Sequence, residues 1–480
     1  MYKPNKSEII FLSCITLTRI AQGIYSTIPS TTQIDFAILY NVEVSEIAKI
    51  YSARSIGSMI GAISVSIYMF FEPFKNKIDA MTICCVHMII FGTLTAVTPL
   101  MPNLIMVQLL VIICSLSFGF LDLCLQSIII QNWGTETSRP FVQFYHGLWS
   151  LGSFIAPYLT LPFVSEGESG DVCQTLSNNA NSTSDTIRNT TNFESSINQL
   201  EQYTLPKVFW PWFICGIMLI LAGLIAAYIG LTFMRVNIEK MYRNTEPNEV
   251  EVDDCQKNDT KINKNSTAKS QLKFFKNESV LLFLTFLLFF SEGGSSHWFV
   301  DYSYNYSYCV RNWSAVKSST LVSVFWITYT LGRTVGIFLT KFVKPKFYIL
   351  FDVILAIGSY VGLVALASSA STTPPDPASD ALLWTLTSIQ AFGYSTLYAN
   401  FIAISSEYFD VTRLYSIVFG LGNFSGQFML LLGAKYVLGD PKFWLICGLI
   451  YSSGLLIFIV LLVLIGNFLK KKGKLRPEFL

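Results

Sequence analysis

Two acidic side chains lie inside segments of the sequence that are otherwise apolar. Asp122 stands between Gly119 and Gln126 in a run of leucine, phenylalanine and cysteine, and Glu292 lies in a second apolar run shortly before His297. Asp122 and Gln126 are one helical turn apart, so they should share one helix face. A charge in a membrane span costs at least about 2.5–3.5 kcal/mol and therefore needs a partner, a cavity or a function. Such carboxylate and amide oxygens could bind a polar solute together with a coupling cation such as Na⁺.

Other polar and aromatic side chains in apolar segments are candidates for the same pathway. Amides and indoles suit sugars, because they hydrogen-bond hydroxyl groups while an aromatic face covers the apolar side of the ring. These candidates are Gln143, His146, Trp298, Tyr302, Trp326, Gln390, Asn400 and Gln427. A lone histidine such as His146 could equally be a hydrogen-bonded core residue, and His87 is interpreted as structural.

Buried ion pairs are the alternative to a functional role for the two acids. Arg19, Arg54 and Arg333 also lie in apolar segments and could pair with Asp122 or Glu292, merely locking helices together. We favour a functional role for the acids and structural pairing for the arginines.

The composition indicates which elements must position these groups. The chain has 480 residues, of which 52% are hydrophobic and only 13% charged, whereas a soluble domain carries about 25% charged residues. Many of the charges are concentrated in 236–278 and after residue 469. This is the composition of an integral membrane protein.

Several other classes of protein are disfavoured. The formal net charge of +2 and the lack of a basic domain argue against a nucleic-acid partner. The ten cysteines form no CxxC pair or Cys/His cluster, so we expect no metal site and no cofactor. No nucleotide-binding loop or nucleophile constellation indicates an enzyme. No obligate protein partner is evident, and the expected partners are a small solute and the lipid bilayer.

Twelve segments are long and apolar enough to cross a bilayer as helices. They are 9–34, 50–71, 80–98, 103–130, 140–163, 208–234, 279–300, 318–340, 347–369, 381–405, 414–436 and 443–469. The sequence therefore predicts an all-α membrane protein with two six-helix bundles, 1–235 and 279–469, a cytoplasmic linker at 236–278 and a basic cytoplasmic tail at 470–480.

The distribution of Lys and Arg predicts that both termini are cytoplasmic. This orientation leaves few basic residues on the opposite side, namely Arg188, Lys207, Arg311, Lys317 and Lys442. It also makes 164–205 an extracellular loop and places four glycosylation sequons outside, at Asn181, Asn189, Asn305 and Asn312. Cys173 and Cys309 both fall outside, where a disulfide between them could form.

An internal repeat relates the two predicted bundles. Five pairs of identical residues share an offset of 274 or 275: Gly57 with Gly332, Gly61 with Gly336, Gly119 with Gly393, Arg139 with Arg413, and Gly152 with Gly426. Two parallel six-helix halves are typical of major facilitator transporters, whose substrate site lies between the halves. The paired GxxxG motifs favour close helix packing over a direct role in gating.

The motifs in these spans resemble the sodium-dependent glucose transporter 1 branch of the major facilitator superfamily, which is related to bacterial fucose permeases. The resembling residues are Arg54 with Gly57 and Gly61; Gly119, Asp122 and Gln126 with Trp133-Gly134; Pro140, Gln143, His146, Gly152 and Pro157; Glu292, Trp298 and Tyr302; and Phe325-Trp326 with Gly332-Arg333. The chain departs from the family pattern at Gln126, where Asn is usual, at Ser296, where Gly is common, and in the loop 72–77.

The resemblance implies a major facilitator fold and sodium-coupled uptake of glucose or a related hexose across the cell membrane. The residues by themselves are also compatible with proton coupling, with uncoupled passage of another polar solute such as a polyol or urea, or with a non-transporting adaptor or sensor.

Overall fold

The computed structural model describes most of the predicted helical segments. The described residues are 6–70, 80–133, 139–164, 173, 205–232, 264–339, 342–343, 345–370, 376–405, 407–408 and 413–472. All regular secondary structure within these ranges is helical. The predicted all-α fold is therefore confirmed.

The described helices form twelve rods, which we number in chain order. The first six are α1 (Lys6–Tyr40), α2 (Lys49–Phe70), α3 (Ala80–Val97), α4 (Leu104–Trp133), α5 (Arg139–Thr160) and α6 (Phe209–Thr232). The other unbroken rods are α7 (Lys264–Asn305), α8 (Ala315–Leu339), α9 (Pro345–Ala370) and α12 (Pro441–Lys471). Two rods are interrupted, giving α10a (Pro377–Tyr394), α10b (Leu397–Ser405), α11a (Arg413–Phe428) and α11b (Leu430–Gly439). Short helical turns occur at Val44–Ile47, Thr98–Leu100, Leu161–Phe163 and Tyr306–Val310.

Eight of the described helices are individually long and apolar enough to cross a membrane. The four rods outside this group are α2, α5, α10 and α11. Polar residues occur along α2 and α5, among them Arg54 and His146, and α10 and α11 are broken near their middles. The chain is a multi-pass membrane protein, and its buried polar residues occur on the apolar rods as well as on these four.

The start of α7 differs from the sequence-based expectation. We predicted a linker over 236–278, but α7 begins at Lys264. The final third of the predicted linker is therefore helical. The misassignment arose because a charged, polar segment was interpreted as a tether, although a helix can extend beyond the apolar span that anchors it. The remainder, 236–263, lies outside the described residues.

The two halves repeat the same set of helix contacts. In the first half α1 packs on α5 and α6, α2 packs on α4, and α3 packs on α4 and α6. In the second half α7 packs on α11 and α12, α8 packs on α10, and α9 packs on α10 and α12. The halves meet where α5 contacts α8, α2 contacts α11 and α1 contacts α7. This pairing is the predicted pseudo-symmetric arrangement of six-helix bundles.

Glycines permit the closest helix crossings. A Cβ atom on Gly61 would lie 2.2 Å from the carbonyl oxygen of Leu116, so α2 and α4 touch backbone to backbone. The crossing of α1 with α5 uses Gly23 in the same way, and Gly293 has the equivalent position where α7 crosses α11. The GxxxG motif of α2 therefore serves packing, as the sequence favoured.

Exposed apolar side chains cover the outside of the bundle, where lipid would contact it. Examples on four different rods are Ile60, Leu224, Phe338 and Ile457. Since neighbouring lipid satisfies such surfaces, no further partner is needed to explain them.

The close crossing of α2 and α4 yields a stability prediction. Gly61→Ala should destabilise the protein by about 1–3 kcal/mol, because the added methyl group overpacks a backbone contact. Gly358→Ala is the matched control: nothing lies within 4 Å of its added Cβ, and alanine favours a helix. Melting temperatures of the purified variants in detergent, followed by size-exclusion fluorescence, measure the effect. Equal melting temperatures would contradict the packing role.

Candidate functional site

A cavity lies between the two halves. Residues of α1, α2, α4 and α5 line it from the first half, and residues of α7, α8, α10b and α11a line it from the second. Asp122 and Glu292 both belong to this lining, as do His146, Trp326 and Gln427. The structure thus brings acids from separate halves to one shared space.

Asp122 is held in a buried ion pair. Its Oδ1 lies 2.5 Å from Nη1 of Arg19 on α1. The Arg19 guanidinium also lies over the Tyr145 ring, 3.9 Å from its centroid, and its Nη2 is 3.2 Å from Nδ1 of His146. The Asp122 side chain is 14% exposed, so it is paired and still reachable from the cavity. Removing its charge would leave Arg19 uncompensated, which typically costs about 3–5 kcal/mol in a buried pair.

Glu292 has neutral partners instead. Its Oε2 accepts a hydrogen bond of 2.5 Å from Nδ2 of Asn423, and Oδ1 of Asn423 accepts one of 2.8 Å from Gln427. No Lys or Arg nitrogen of the described residues lies within 4 Å of Glu292. Glu292 therefore has no direct ion pair, although Arg333 lines the same cavity, and a bound cation or proton could neutralise it.

Two tryptophans from opposite halves meet at the cavity. The rings of Trp149 on α5 and Trp326 on α8 are 4.9 Å apart and nearly perpendicular, at 87°. His297 lies beside both rings, at 6.0 and 6.1 Å. The indole nitrogens of both tryptophans are buried without a hydrogen-bond partner. Because an unpaired buried donor is costly, these N–H groups are sites where a ligand could supply an acceptor.

Arg333 adds another unused donor to the cavity. Its Nε donates to the carbonyl oxygen of Ser395 at 2.8 Å, and its Nη2 donates to the Tyr329 hydroxyl at 2.9 Å. Its Nη1 is buried without a partner. No acid of the described residues lies within 4 Å of the guanidinium. The predicted structural ion pair is thus wrong for Arg333, whereas Arg19 and Arg54 are both paired with acids.

Polar contacts hold the halves together at one end of the cavity. We call the end of the bundle opposite Lys6 and Lys472 the distal face, and the other end the proximal face. Toward the distal face, Arg54 pairs with Asp301 at 3.0 Å, and Gln33 accepts a 2.6 Å hydrogen bond from Asn305. Each of these contacts joins the first half to α7. Together they bridge the halves on the distal side of the cavity.

Six of the side chains predicted for the pathway do not belong to the cavity lining. They are Gln126, Gln143, Trp298, Tyr302, Gln390 and Asn400. Trp298 donates to the carbonyl oxygen of Trp444, and Tyr302 donates to that of Leu430, so both brace the second half internally. Asn400 donates to Thr396, and Gln390 is fully buried in α10a.

Sequence reasoning missed residues that complete the site. Asp301 closes the distal side, Asn423 donates to Glu292, and Tyr398 adds an aromatic ring to the lining. Asp301 carried a usable signal, since it is a third acid in the apolar region of α7 and follows His297 by four residues. Asn423 carried another, because it lies four residues before Gln427 on the same helix face.

The predicted surface modifications have mixed outcomes. The structure contains a disulfide between Cys173 and Cys309. Asn312 is exposed, as a glycan acceptor must be. Asn305 is only 1% exposed and bonded to Gln33, so its glycosylation is inconsistent with this packing. Asn181 and Asn189 lie outside the described residues, as do most of 164–205 and the tail after residue 472.

Comparison with known families defines the class of protein. The model of the Major Facilitator Superfamily matches residues 204–434. The match covers slightly less than half of the chain and agrees with the resemblance drawn from the motifs. Among curated proteins, it is similar to sodium-dependent glucose transporter 1 of Homo sapiens, with 21% identity over 412 residues, 84% of this chain and 69% of the relative. The protein of the same name from Danio rerio is 22% identical over 85% of this chain and 61% of its own length.

Solved structures show the same fold at low sequence identity. A D-xylose–proton symporter matches with a TM-score of 0.64 and 13% identity, covering 95% of this chain and 97% of the other. The E. coli fucose:proton symporter matches with a TM-score of 0.55 and 12% identity, covering 95% and 98%. These structures show the shared fold, and the curated relatives are named as transporters, which supports a transporter.

The distal ion pair leads to a prediction about access to the cavity. Asp301→Asn should favour opening at the distal face, because it leaves Arg54 buried without a counter-charge, a change worth about 3–5 kcal/mol in buried pairs. Labelling of Ser296→Cys in the cavity by a bulky thiol reagent applied at the distal face should then be faster by about tenfold or more.

Two controls accompany this measurement. Labelling without Ser296→Cys gives the contribution of the native cysteines. Glu46→Gln breaks the exposed pair with Lys49, in which both side chains are nearly half exposed, and should leave the rate unchanged. Equal labelling rates for Asp301→Asn and Glu46→Gln would contradict the closing role.

Proposed function

We propose that this chain is a secondary transporter that moves glucose or a related hexose across the cell membrane by alternating access, driven by Na⁺. The observation that carries the proposal is the cavity shared by both halves, with Glu292 uncompensated and several N–H donors unpartnered. A carrier needs such a site, because its ligand must contact both halves and be released when they move apart.

The unpartnered groups fit a solute with many hydroxyl groups. Trp149, Trp326 and Arg333 present N–H donors that require acceptors, while Glu292 offers an acceptor. A hydroxyl group both donates and accepts, so a hexose can satisfy the two kinds of group at once. The perpendicular tryptophan rings provide apolar surface for the C–H face of the sugar.

Alternating access follows from where the halves are joined. The Arg54–Asp301 and Gln33–Asn305 contacts close the distal side in this state. Rocking of the halves would break these contacts and open the cavity there. We assign the distal face to the extracellular side, with both termini cytoplasmic and Asn312 available for a glycan.

Sodium coupling rests on Glu292 and on the similarity to proteins named sodium-dependent glucose transporters. A buried carboxylate without a cationic partner is stabilised when a cation binds beside it. Occupancy by Na⁺ would therefore favour the state in which Glu292 is enclosed and would link ion binding to the movement of the halves. Glu292 is a better coupling candidate than Asp122, whose charge Arg19 already balances.

Uptake into proteoliposomes tests the proposed activity. Purified protein should accumulate labelled glucose when an inward Na⁺ gradient is imposed, and accumulation should fall to simple equilibration without the gradient. A proton gradient in place of the Na⁺ gradient tests proton coupling, and competition by other hexoses, polyols and urea identifies the solute. Absence of uptake for every one of these solutes would overturn the proposal and favour a non-transporting adaptor or sensor.

The role of Glu292 in coupling has its own prediction. Glu292→Gln should abolish gradient-driven accumulation while sugar exchange continues, because the glutamine side chain still accepts a hydrogen bond but carries no charge. Exchange is measured as counterflow from preloaded vesicles. The matched control is Glu46→Gln, which neutralises an exposed glutamate outside the cavity. Unchanged accumulation by Glu292→Gln would contradict the coupling role.

Two tryptophans form a matched pair for testing the sugar site. Trp326→Phe removes an unpartnered N–H from the cavity and should raise KM for the sugar by about fivefold to tenfold, as for one lost hydrogen bond. Trp298→Phe instead removes a bond to Trp444 inside the second half, so it should lower thermal stability and leave KM unchanged. Equal KM values for the two variants would argue against a sugar contact at Trp326.

A further inference from the structure

Another buried acid without a cationic partner among the described residues lies outside the central cavity. Asp352, on α9, is completely buried against the interruption in α10. It does not belong to the lining of the cavity. Among the described residues no Lys, Arg or His nitrogen lies within 4 Å of its carboxylate. Burial of the Asp352 carboxylate therefore needs another source of stabilisation.

The neighbours of Asp352 direct donors toward one of its oxygens and leave the other empty. The Thr396 hydroxyl donates to Oδ2 of Asp352, and Asn400 donates to the Thr396 hydroxyl at 3.0 Å. Oδ1 of Asp352 is buried and has no hydrogen-bond partner. The hydroxyl of Tyr348, one helical turn away on α9, is also buried without a partner. Two unsatisfied oxygens thus occur in one buried cluster.

The position at a helix interruption is significant. Ser395 and Thr396 form the turn that separates α10a from α10b. In transporters, interrupted helices supply polar backbone groups at ion sites, because residues outside the helical ladder are free to bind a ligand. A buried carboxylate at such a turn would be strongly destabilised as an uncompensated anion. A bound cation or a proton on Oδ1 removes that penalty and gives the unsatisfied oxygens a partner.

We propose that Asp352 and Tyr348, at the interruption of α10, form a second binding site for a univalent cation, either H⁺ or Na⁺. The proposal rests on the transporter function given above, since it assigns a further ion to the same transport cycle. One residue, Arg333, connects the proposed cation site with the cavity. Arg333, which lines the cavity, donates to the carbonyl oxygen of Ser395 in the same turn. A cation bound at Asp352 can therefore shift the position of Arg333, which faces the cavity.

The other titratable groups nearby make their observed contacts elsewhere. Arg333 on α8 is directed to Ser395 and Tyr329, and the pair of Lys346 with Glu407, at 2.7 Å, lies at the partly exposed proximal end of α9. Tyr360, two turns further along α9, donates to the backbone of Ser295 and packs on α12. On α10 the facing side chains, Thr396 and Asn400, do not titrate.

The dependence of the melting temperature on Na⁺ concentration and on pH, measured without sugar, tests the site. The starting variant is Glu292→Gln, which removes the uncompensated acid of the central cavity, and it is compared with Glu292→Gln/Asp352→Asn. NaCl is titrated against choline chloride at fixed pH, and in a second series the pH is varied at fixed NaCl. A ligand that binds the folded state raises the melting temperature. We expect the Glu292→Gln protein to be stabilised by Na⁺ or by lower pH, and this stabilisation to be lost in the double variant.

The two series distinguish the ions. Loss of the Na⁺-dependent shift identifies sodium, and loss of the pH-dependent shift alone identifies a proton. Identical ion and pH dependence in the two proteins would overturn the proposal, and a merely lower melting temperature with the same dependence would show that Asp352 is structural. Because no sugar is present, this result stands apart from the uptake test of the proposed function.

A milder variant guards against misfolding of the double variant. Thr396→Val in the Glu292→Gln protein removes the hydroxyl that orients Asp352 and keeps the side-chain shape. For Na⁺ it should raise the half-saturating concentration by roughly tenfold or more, as is typical when a ligating carboxylate loses its orienting partner. For a proton the shift should be in the opposite direction, because the carboxylate loses a donor that stabilises its charged form. An unchanged half-saturating concentration would also count against the site.

Discussion

Burial of charge among apolar helices is the constraint on which this structure depends. Each carboxylate inside the bundle must be balanced by a counter-charge, by donors or by a bound ion, since bare charge is not tolerated there. Asp122 and Asp301 are balanced by arginines, whereas Glu292 and Asp352 receive hydrogen bonds from neutral side chains only. The first two acids fix helices in place. The other two have no Lys, Arg or His nitrogen within 4 Å among the described residues, and they are the acids that we propose bind a cation.

The interface between the halves is also held by buried polar pairs. Its distal side is closed by an ion pair and an amide pair, interactions that are strong when buried but have defined geometry. Such contacts can break as a unit, unlike interdigitated apolar side chains. Within each half, by contrast, backbone contacts at Gly61 and Gly293 bring helices too close for independent motion. On the proposed function, these polar contacts between the halves are the ones that would break when the cavity opens at the distal face.

Most of the fold was predictable because two strong signals agree. Apolar segments about 20 residues long determine the spans, and the recurrence of Gly57 and Gly61 as Gly332 and Gly336 identifies the repeat. The start of α7 was not predictable in this way, since hydropathy reports where lipid begins and not where a helix begins. The interruption of α10 at Ser395 was also not predicted, although Gly393 lies two residues before it.

The site was predictable only in part, because hydropathy does not give direction around a helix. Asp122 and Glu292 were found as acids in apolar runs, and both line the cavity. Trp298 was assigned to the cavity although it follows Glu292 by six residues, a rotation of about 240° that turns it away. Counting 100° of rotation per residue from Glu292 would have excluded Trp298 from the cavity. Asn423 could have been found as a neighbour of Gln427 on one helix face, but its contact with Glu292 could not, since Glu292 lies on another helix.

The buried amide of Asn305 has a consequence for biosynthesis. This residue heads a sequon, and on the proposed orientation its helix end emerges in the compartment where oligosaccharides are attached to nascent chains. A sugar chain on its side-chain nitrogen would occupy the place of Gln33 and hold the bundles apart. On that orientation, the second bundle would have to dock on the first before residue 305 could be glycosylated.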